Sequence, residues 1–276
     1  MGIAYLGFND ALSPHAQMAA DEAMLVCQPA LRFYGYKDTA VILGRNQHPS
    51  IVSDDAYPLA RRITGGTATL EKPGDVRWAY SFPSESSLRE MNRHVCGLLT
   101  QSLQNAGIPG AYADPETSTV KLDGKIIGGH ARCIKNGMAF AHGIIAVTPY
   151  SPLQVGRAIR MRPGEEQLMQ NMPDLSLAMG AAPQEAAATI RASMLETVSG
   201  GRYDMACLAE LMSTPEYRQA LKKHESPAWI KNGSPLPALP DSDVLVVDED
   251  GITQLLTKTG HCFYSMYKDS EVAALQ

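Results

Sequence analysis

The stretch Arg61-Arg62-Ile63-Thr64-Gly65-Gly66-Thr67-Ala68-Thr69 runs two guanidinium groups into a Gly-Gly turn. Gly-Gly is unfavourable inside a helix by about 1 kcal/mol per glycine relative to alanine, so the segment reads as a sharp bend. Amide N–H groups beside arginines suit a carboxylate or a phosphate. The plainer alternative is a hairpin turn with solvated arginines. A second stretch, Val120-Lys121-Leu122-Asp123-Gly124-Lys125-Ile126-Ile127-Gly128-Gly129-His130-Ala131-Arg132, joins two short alternating segments through Asp-Gly, a hairpin signal. Lys125 opens the return strand and a second Gly-Gly follows it. An ammonium held on a rigid strand facing an anion cradle can stabilise a transferring acyl or phosphoryl group. Ala141-His142-Gly143-Ile144-Ile145 adds an imidazole inside an apolar β-rich run.

These residues need a scaffold, and the chain is long enough to supply one. It has 276 residues, 45% of them hydrophobic, enough for one substantial core and a small second unit. With 24 basic and 29 acidic residues the net charge is -5, which disfavours a nucleic-acid binder. No apolar run approaches the roughly 18 residues that span a bilayer, and Met1–Leu6 lacks the features of a signal peptide. The five cysteines are scattered and show no zinc-ligand spacing. A reduced, cytoplasmic setting is therefore expected, with no membrane and no nucleic-acid partner.

Ser13–Val26 reads as a helix capped by Ser13 with Pro14 in its first turn, and its alanines suggest close packing on a sheet. Strands are expected at Leu31–Tyr36, Ala40–Gly44, Leu59–Ile63 and Arg77–Phe82. Ser87–Ala106 is helical, with Ser87 and Glu90 at capping-box spacing and Gly107 beyond its end. Strands then recur at Thr117–Leu122, Lys125–Gly129 and Met138–Val147. Tyr150–Met179, rich in Pro, Met and Arg, reads mostly as loop that contacts the site or a partner. Gln184–Val198 and Met205–Leu221 read as helices. Ser226–Ser242 reads as a linker, and Asp243–Val247 with Ile252–Thr257 as a hairpin.

Taken in order, these segments resemble the lipoate–protein ligases and the related octanoyl and lipoyl transferases over roughly the first 150 residues. Ala19-Ala20-Asp21-Glu22-Ala23 is similar to that family's first helix. Val41-Ile42-Leu43-Gly44-Arg45-Asn46-Gln47 is similar to its strand with a Gly-Arg-x-Gln ending. Arg61-Arg62-x-Thr-Gly-Gly, Asp123-Gly124-Lys125-Ile126-x-Gly128 and His142-Gly143 match its later motifs. The resemblance implies an α/β (α+β) fold with a mixed, largely antiparallel sheet flanked by helices. It places a catalytic domain at residues 1–200 and a small accessory region at 201–276.

It also implies a function. Lipoate and ATP, with Mg²⁺, give lipoyl-AMP, and a lysine of an acceptor lipoyl domain takes the acyl group. Lys125 is the expected catalytic residue. Arg62, Gly65, Gly66, Thr67 and Gly128 are the expected cradle for acyl and phosphate groups, with Asn46 and Gln47 lining the pocket. His142 stands as a substrate ligand, a support for Lys125 or a structural imidazole. Arg61, adjacent to Arg62 on a strand, should face the other way.

The chain departs from the pattern at three places. Thr67 replaces the third glycine, and Thr69-Leu70-Glu71-Lys72 replaces Val-x-His-Asp. Pro115-Glu116-Thr117-Ser118-Thr119 stands where ligases carry Asn-Asp, leaving Asp114, Glu116 and Asp123 as candidate carboxylates. Asp114-Pro115 stands where one transferase branch has its nucleophilic cysteine, and no cysteine lies between Cys96 and Cys133. Two alternatives stay open. One is an octanoyl or lipoyl transferase that works without a cysteine. The other is a catalytically weak lipoate-binding or scaffold protein on the same fold. Lipoate or octanoate is the expected acyl partner.

Overall fold

The computed structural model describes residues 2–26, 28–53, 57–160 and 170–233, together with the backbone of residues 244–249, 252–257 and 262–267. The first strand β1 (Ile3–Asn9) leads into helix α1 (Pro14–Ala23), where the Ser13 hydroxyl accepts from the Ala16 N–H. Strand β2 (Ala30–Tyr34) alternates strictly. Leu31 and Phe33 enter one core and Ala30 and Tyr34 the other, which leaves Arg32 on the α1 side. Strands β3 (Ala40–Leu43), β4 (Leu59–Arg61) and β5 (Thr69–Glu71) form a small sheet in the order β4-β3-β5.

The chain returns through β6 (Val76–Pro83) and helix α2 (Leu88–Asn105). The Ser87 hydroxyl accepts from the Glu90 N–H and the Glu90 carboxylate from the Ser87 N–H, the reciprocal cap expected from spacing. Strands β7 (Ala111–Asp114), β8 (Thr119–Leu122), β9 (Lys125–Lys135) and β10 (Met138–Ile145) follow. Asp123 and Gly124 both take positive φ, 50° and 79°, as a two-residue hairpin loop between β8 and β9 requires. Helices α3 (Pro152–Ala158), α4 (Leu175–Ala178) and α5 (Pro183–Ser199) precede strand β11 (Tyr203–Met205). The main sheet runs β11-β1-β2-β6-β10-β9-β8-β7. It is parallel across β11, β1 and β2 and antiparallel elsewhere. Helices α2 and α5 cover one face, and α1 covers the other.

Several expectations are corrected. The stretch 150–179 holds α3 and α4, so it is less loop-like than its composition suggested; residues 161–169 lie outside the described residues. The helix expected over Met205–Leu221 divides into α6 (Leu208–Ser213) and α7 (Pro215–His224), because Pro215 starts a new helix under a Thr214 cap. The expected linker begins with helix α8 (Pro227–Asn232), and positions 234–242 lie outside the described residues. Beyond them, β12 (Val244–Glu249) and β13 (Ile252–Thr257) form the expected hairpin, extended by β14 (Cys262–Tyr267). Among the described residues no helix is long and apolar enough to cross a membrane.

Candidate acyl and anion site

A cavity of about 580 Å³ opens between the small sheet and strands β9 and β10. Its middle is apolar, walled by Ile42, Ile126, Ile127, Ile144, Val155 and Ile159. The last two belong to the segment beginning at Tyr150 that the sequence placed near the site. Its mouth is formed by Gly66, Thr67, Thr117, Ser118, Gly128 and Gly129, of which Gly66, Thr67 and Thr117 are exposed. Its closed end is polar and buried, with Tyr34, Tyr36, Glu71, Arg77, His142 and Tyr150.

The Gly-Gly turn at the mouth is held from beneath by Arg62. Its guanidinium donates to the carbonyl oxygens of Gly65 at 2.8 and 3.1 Å, Thr67 at 2.7 Å and Ile42 at 3.4 Å. Among the described residues no carboxylate pairs with it, and burial lowers its pKa to about 10 against the opposing pull of Glu71 and Tyr34. Because Arg62 draws the loop carbonyls inward, the opposite side of the loop is left to N–H groups. Among the described residues the N–H groups of Gly65, Gly66 and Thr67 donate to no protein acceptor. Gly66 has φ +91°, and a Cβ on Gly44 would sit 1.9 Å from the Gly66 carbonyl oxygen. Only glycine at 44 lets the two turns approach so closely.

Arg61 faces the other way, as adjacent strand residues must. It donates to the carbonyl oxygens of Trp229, Ile230 and Lys231 at the end of α8, and to those of Gly44, Arg45 and Gln47. A positive group at a helix C-terminus meets carbonyls that have no partner inside the helix. This clamp explains why Asn46 and Gln47 do not line the cavity. The chain turns away after β3, and buried Gln47 accepts from the Gly44 N–H at 3.3 Å.

His142 lines the closed end with both ring nitrogens engaged. Nδ1 lies 2.7 Å from the Asp21 carboxylate and Nε2 lies 2.6 Å from the Thr64 hydroxyl. Burial alone would raise the pKa of Asp21, but Arg32 and His142 outweigh it and hold the carboxyl below its ordinary value. The anionic Asp21 accepts from the His142 Nδ1–H, and Nε2 shares a hydrogen bond with the Thr64 hydroxyl. Arg32 donates to Asp21 at 2.5 Å and to the Gln17 side chain at 2.9 Å, and the Tyr34 hydroxyl donates to Asp21 at 3.2 Å. One buried chain of polar groups thus ties α1, β2 and β10 to the turn of the cradle.

Of the expected site residues, Arg62, Gly66, Thr67, Gly128 and His142 meet at the cavity. Gly65 contributes its main chain at the rim. Lys125 sits exposed at the start of β9, beside cavity-lining Ile126, and does not itself line the cavity. Sequence reasoning missed Tyr36 and Arg77 as cavity residues and did not assign Asp21 or Arg32 to the site. An arginine inside a fully buried strand, as at Arg32 and Arg77, was the available signal, because such a charge demands a partner.

Two thiols lie away from the cavity and are held in their protonated form by burial. Burial pushes Cys96 and Cys133 up to about 11, and neither lines the cavity. Among the described residues no three His, Cys, Asp or Glu side chains gather as a metal site. Asp114 is engaged by Lys121 at 2.7 Å and by the Glu116 N–H at 2.9 Å.

Comparison with known proteins follows this geometry. The family model described as "Lipoyl protein ligase A/B catalytic domain" matches residues 13–165, more than half of the chain. A lipoate-protein ligase A bound with ATP is similar in structure, with TM-score 0.69 and 19% identity, covering 85% of this chain and 100% of that one. A bi-partite lipoate protein ligase from Thermoplasma acidophilum, described with its E2 lipoyl domain, gives TM-score 0.71 and 18% identity over 87% of this chain and 100% of that one. P. falciparum LipL1 in complex with lipoate gives TM-score 0.68 and 13% identity over 96% and 86% of the two chains. At these identities the likeness is one of fold. A comparison with curated proteins finds no match. With the family model spanning α1 through α3, the chain belongs to the lipoyl protein ligase A/B catalytic domain family.

Proposed function

We propose that this chain is a lipoate–protein ligase that activates lipoate with ATP and passes the lipoyl group to a lysine of an acceptor lipoyl domain. One observation carries the reading. At the mouth of an apolar slot, a buried guanidinium underlies a loop, and among the described residues the guanidinium has no carboxylate partner and the N–H groups of Gly65, Gly66 and Thr67 have no protein acceptor. That arrangement suits an anion at the mouth and a hydrocarbon chain within. Solved proteins of this fold are described as bound with ATP, in complex with lipoate, and together with an E2 lipoyl domain, which supports the same assignment.

In this reading the lipoate carboxylate attacks the α-phosphorus of ATP. Pyrophosphate leaves, and lipoyl-AMP remains with its phosphate on the cradle. The neutral acceptor amine then attacks the acyl carbon, AMP leaves, and the amine proton goes to solvent or to the departing phosphate. Lys125, at the open edge beside Ile126, moves over the mouth to offset the charge that develops on the acyl and phosphate oxygens. Among the described residues the side chains do not fit a metal held by the protein, since Asp114 is paired and no carboxylate cluster forms. Mg²⁺ therefore enters only as the counter-ion that the triphosphate brings. Residues 1–200 carry the chemistry, and 201–276 are the accessory part, linked to the cradle through Arg61 and α8.

A second reading gains support from the same Asp114 pairing. With Asp114 engaged by Lys121, a preactivated acyl donor takes the place of ATP, and the chain is a transferase that works without a cysteine. The test is the mass of an acceptor lipoyl domain after incubation with the protein, lipoate, ATP and Mg²⁺. The expected result is one lipoyl group added in an ATP-dependent manner. Acylation from an acyl-carrier thioester and not from ATP with lipoate would overturn the ligase reading in favour of the transferase.

A further inference from the structure

Tyr150, at the closed end of the slot, belongs to no strand or helix; it lies in the connection between β10 and α3. It lines the cavity and is 8% exposed, so its ring meets whatever fills the slot. Among the described residues the main chain of positions 148–150 makes no hydrogen bond to other main chain. Side chains hold it instead. The Tyr150 hydroxyl donates to Asp75 Oδ2 at 2.5 Å, and the Val147 N–H donates to Asp75 Oδ1 at 3.1 Å. The Lys72 ammonium donates to the carbonyl oxygens of Thr148 at 2.8 Å and Pro149 at 3.2 Å, and to the Thr148 hydroxyl at 2.6 Å. It also lies over the Tyr150 ring, 4.5 Å from its centre.

Every residue from Val147 to Tyr150 is thus bound by Lys72 or Asp75, which bracket the turn between β5 and β6. That turn is fixed to the main sheet through Arg77 of β6. Its Nη1 donates to the Lys72 carbonyl oxygen at 3.0 Å, and its Nη2 pairs with Asp75 at 3.6 Å. A phenol anchored at its hydroxyl and covered by an ammonium has lost the torsional freedom to swing aside. Beyond it the wall continues through Val155 and Ile159 of α3. The far end of α3 is held too: the Ser53 N–H donates to the Ala158 carbonyl at 3.0 Å, and the Arg160 N–H to that of Ile51 at 2.8 Å. A close-packed wall pinned at both ends resists being pushed outward by a longer chain.

We infer that Tyr150 is the stop that sets the longest acyl chain the slot accepts, with Lys72 and Asp75 as its positioning residues. The inference rests on the acyl-site reading above and adds its length selectivity. Each methylene gains apolar contact until the chain end reaches the ring, and the next one forces strain. An anchored ring puts that change at one length, whereas a mobile ring spreads it over several.

The experiment is calorimetric titration of the full chain with straight-chain fatty acids of increasing length and with lipoate. For the unaltered chain, affinity should rise with length and then drop by at least about tenfold within about two methylenes. Tyr150→Leu should move the drop to longer acids. The first acid that the unaltered chain excludes then gains at least about tenfold relative to the last one it accepts. Tyr150→Phe and Lys72→Met each release one anchor and should spread the drop over more methylenes. If Tyr150→Leu fails to fold, these two decide by the same readout. A drop that moves in Tyr150→Leu but stays as steep in the other two keeps the stop and refutes its positioning residues. An unmoved, equally steep drop in every variant, or no drop in the unaltered chain, would overturn the inference and leave the acyl-site reading intact. Failure of the unaltered chain to bind lipoate or any of the fatty acids would overturn both.

Discussion

The mouth of the cavity and its closed end are built on opposite plans. The mouth is main chain: a Gly-Gly turn with open N–H groups, the neighbouring Gly128-Gly129, and a lysine at the rim. The closed end is side chain: buried ions and hydroxyls whose partners come from α1, β2, β5, β6 and β10. A backbone cradle can receive a charged group and release it, because it asks for little rearrangement. A buried ionic network holds one geometry, and removing a member leaves a charge without its counterpart. The mouth is thus suited to reaction and the closed end to shape and recognition.

Breaking the closed end should have the largest effect on the fold. Asp21→Ala leaves the Arg32 guanidinium and the His142 imidazole without their shared acceptor. Denaturant unfolding should show a loss of about 3–5 kcal/mol. A loss below about 1 kcal/mol would mean that the network is dispensable.

Acid should act on the same buried framework. The pKa of Asp21 is below its ordinary value in the fold, and that of Glu22 is lowered from 4.5 to about 2, its hydrogen bonds to His224 and Lys223 outweighing the burial that opposes them. Carboxylates depressed in the fold add stability above their ordinary pKa and lose it as pH falls toward the folded value. Burial lowers His130 from 6.5 to about 4, so the unfolded chain takes up that proton first as pH drops. All three effects have one sign. The melting temperature should fall steadily from pH 6.5 downward, and a flat profile to pH 4 would contradict the assignments.

The mouth should respond differently. Arg62→Lys keeps a positive charge but loses the fork that holds the Gly65 and Thr67 carbonyls. The expected outcome is a rise in KM for lipoate of about tenfold with a much smaller change in stability than Asp21→Ala causes. Equal damage to both would erase the distinction between the two ends.

The two ends were also unequally legible in the sequence. The mouth lay in contiguous motifs, so Arg62, Gly66, Thr67 and Gly128 were picked out by the resemblance of those motifs to the ligase family, and the structure brings them together at the cavity. The closed end depends on long-range pairing, such as Asp21 with Arg32 across the α1–β2 packing and Glu71 with Arg77 across a turn. Spacing gave Asp21 only as part of a helix pattern. The glycines marked the Asp123-Gly124 hairpin well, but β1 was missed, because Gly7 at φ 78° interrupts its alternation and the pairing with β2 shifts there. Asn46 and Gln47 were drawn to the pocket by their place after β3. Only the structure shows Arg61 pulling that turn toward α8. Lys125 was read as the reacting cation from its motif, and its exposed position makes its reach the central question.

The smallest effect is expected at Cys133, which is outside the cavity and has its thiol pushed up to about 11. Cys133→Ser should leave stability within about 0.5–1.5 kcal/mol and turnover within about twofold. Capture of an acyl-thioester on Cys133 would refute that.

The most direct measurement is single-turnover transfer from preformed lipoyl-adenylate to an acceptor lipoyl domain, comparing the unaltered chain with Lys125→Ala. Supplying the adenylate removes ATP and its metal from the question and leaves only the cradle and the lysine. Transfer by the unaltered chain, reduced by about 100-fold or more in Lys125→Ala with lipoate affinity and melting temperature preserved, is the predicted result. Equal transfer by the two proteins would show that the lysine at the rim does not reach the reacting group.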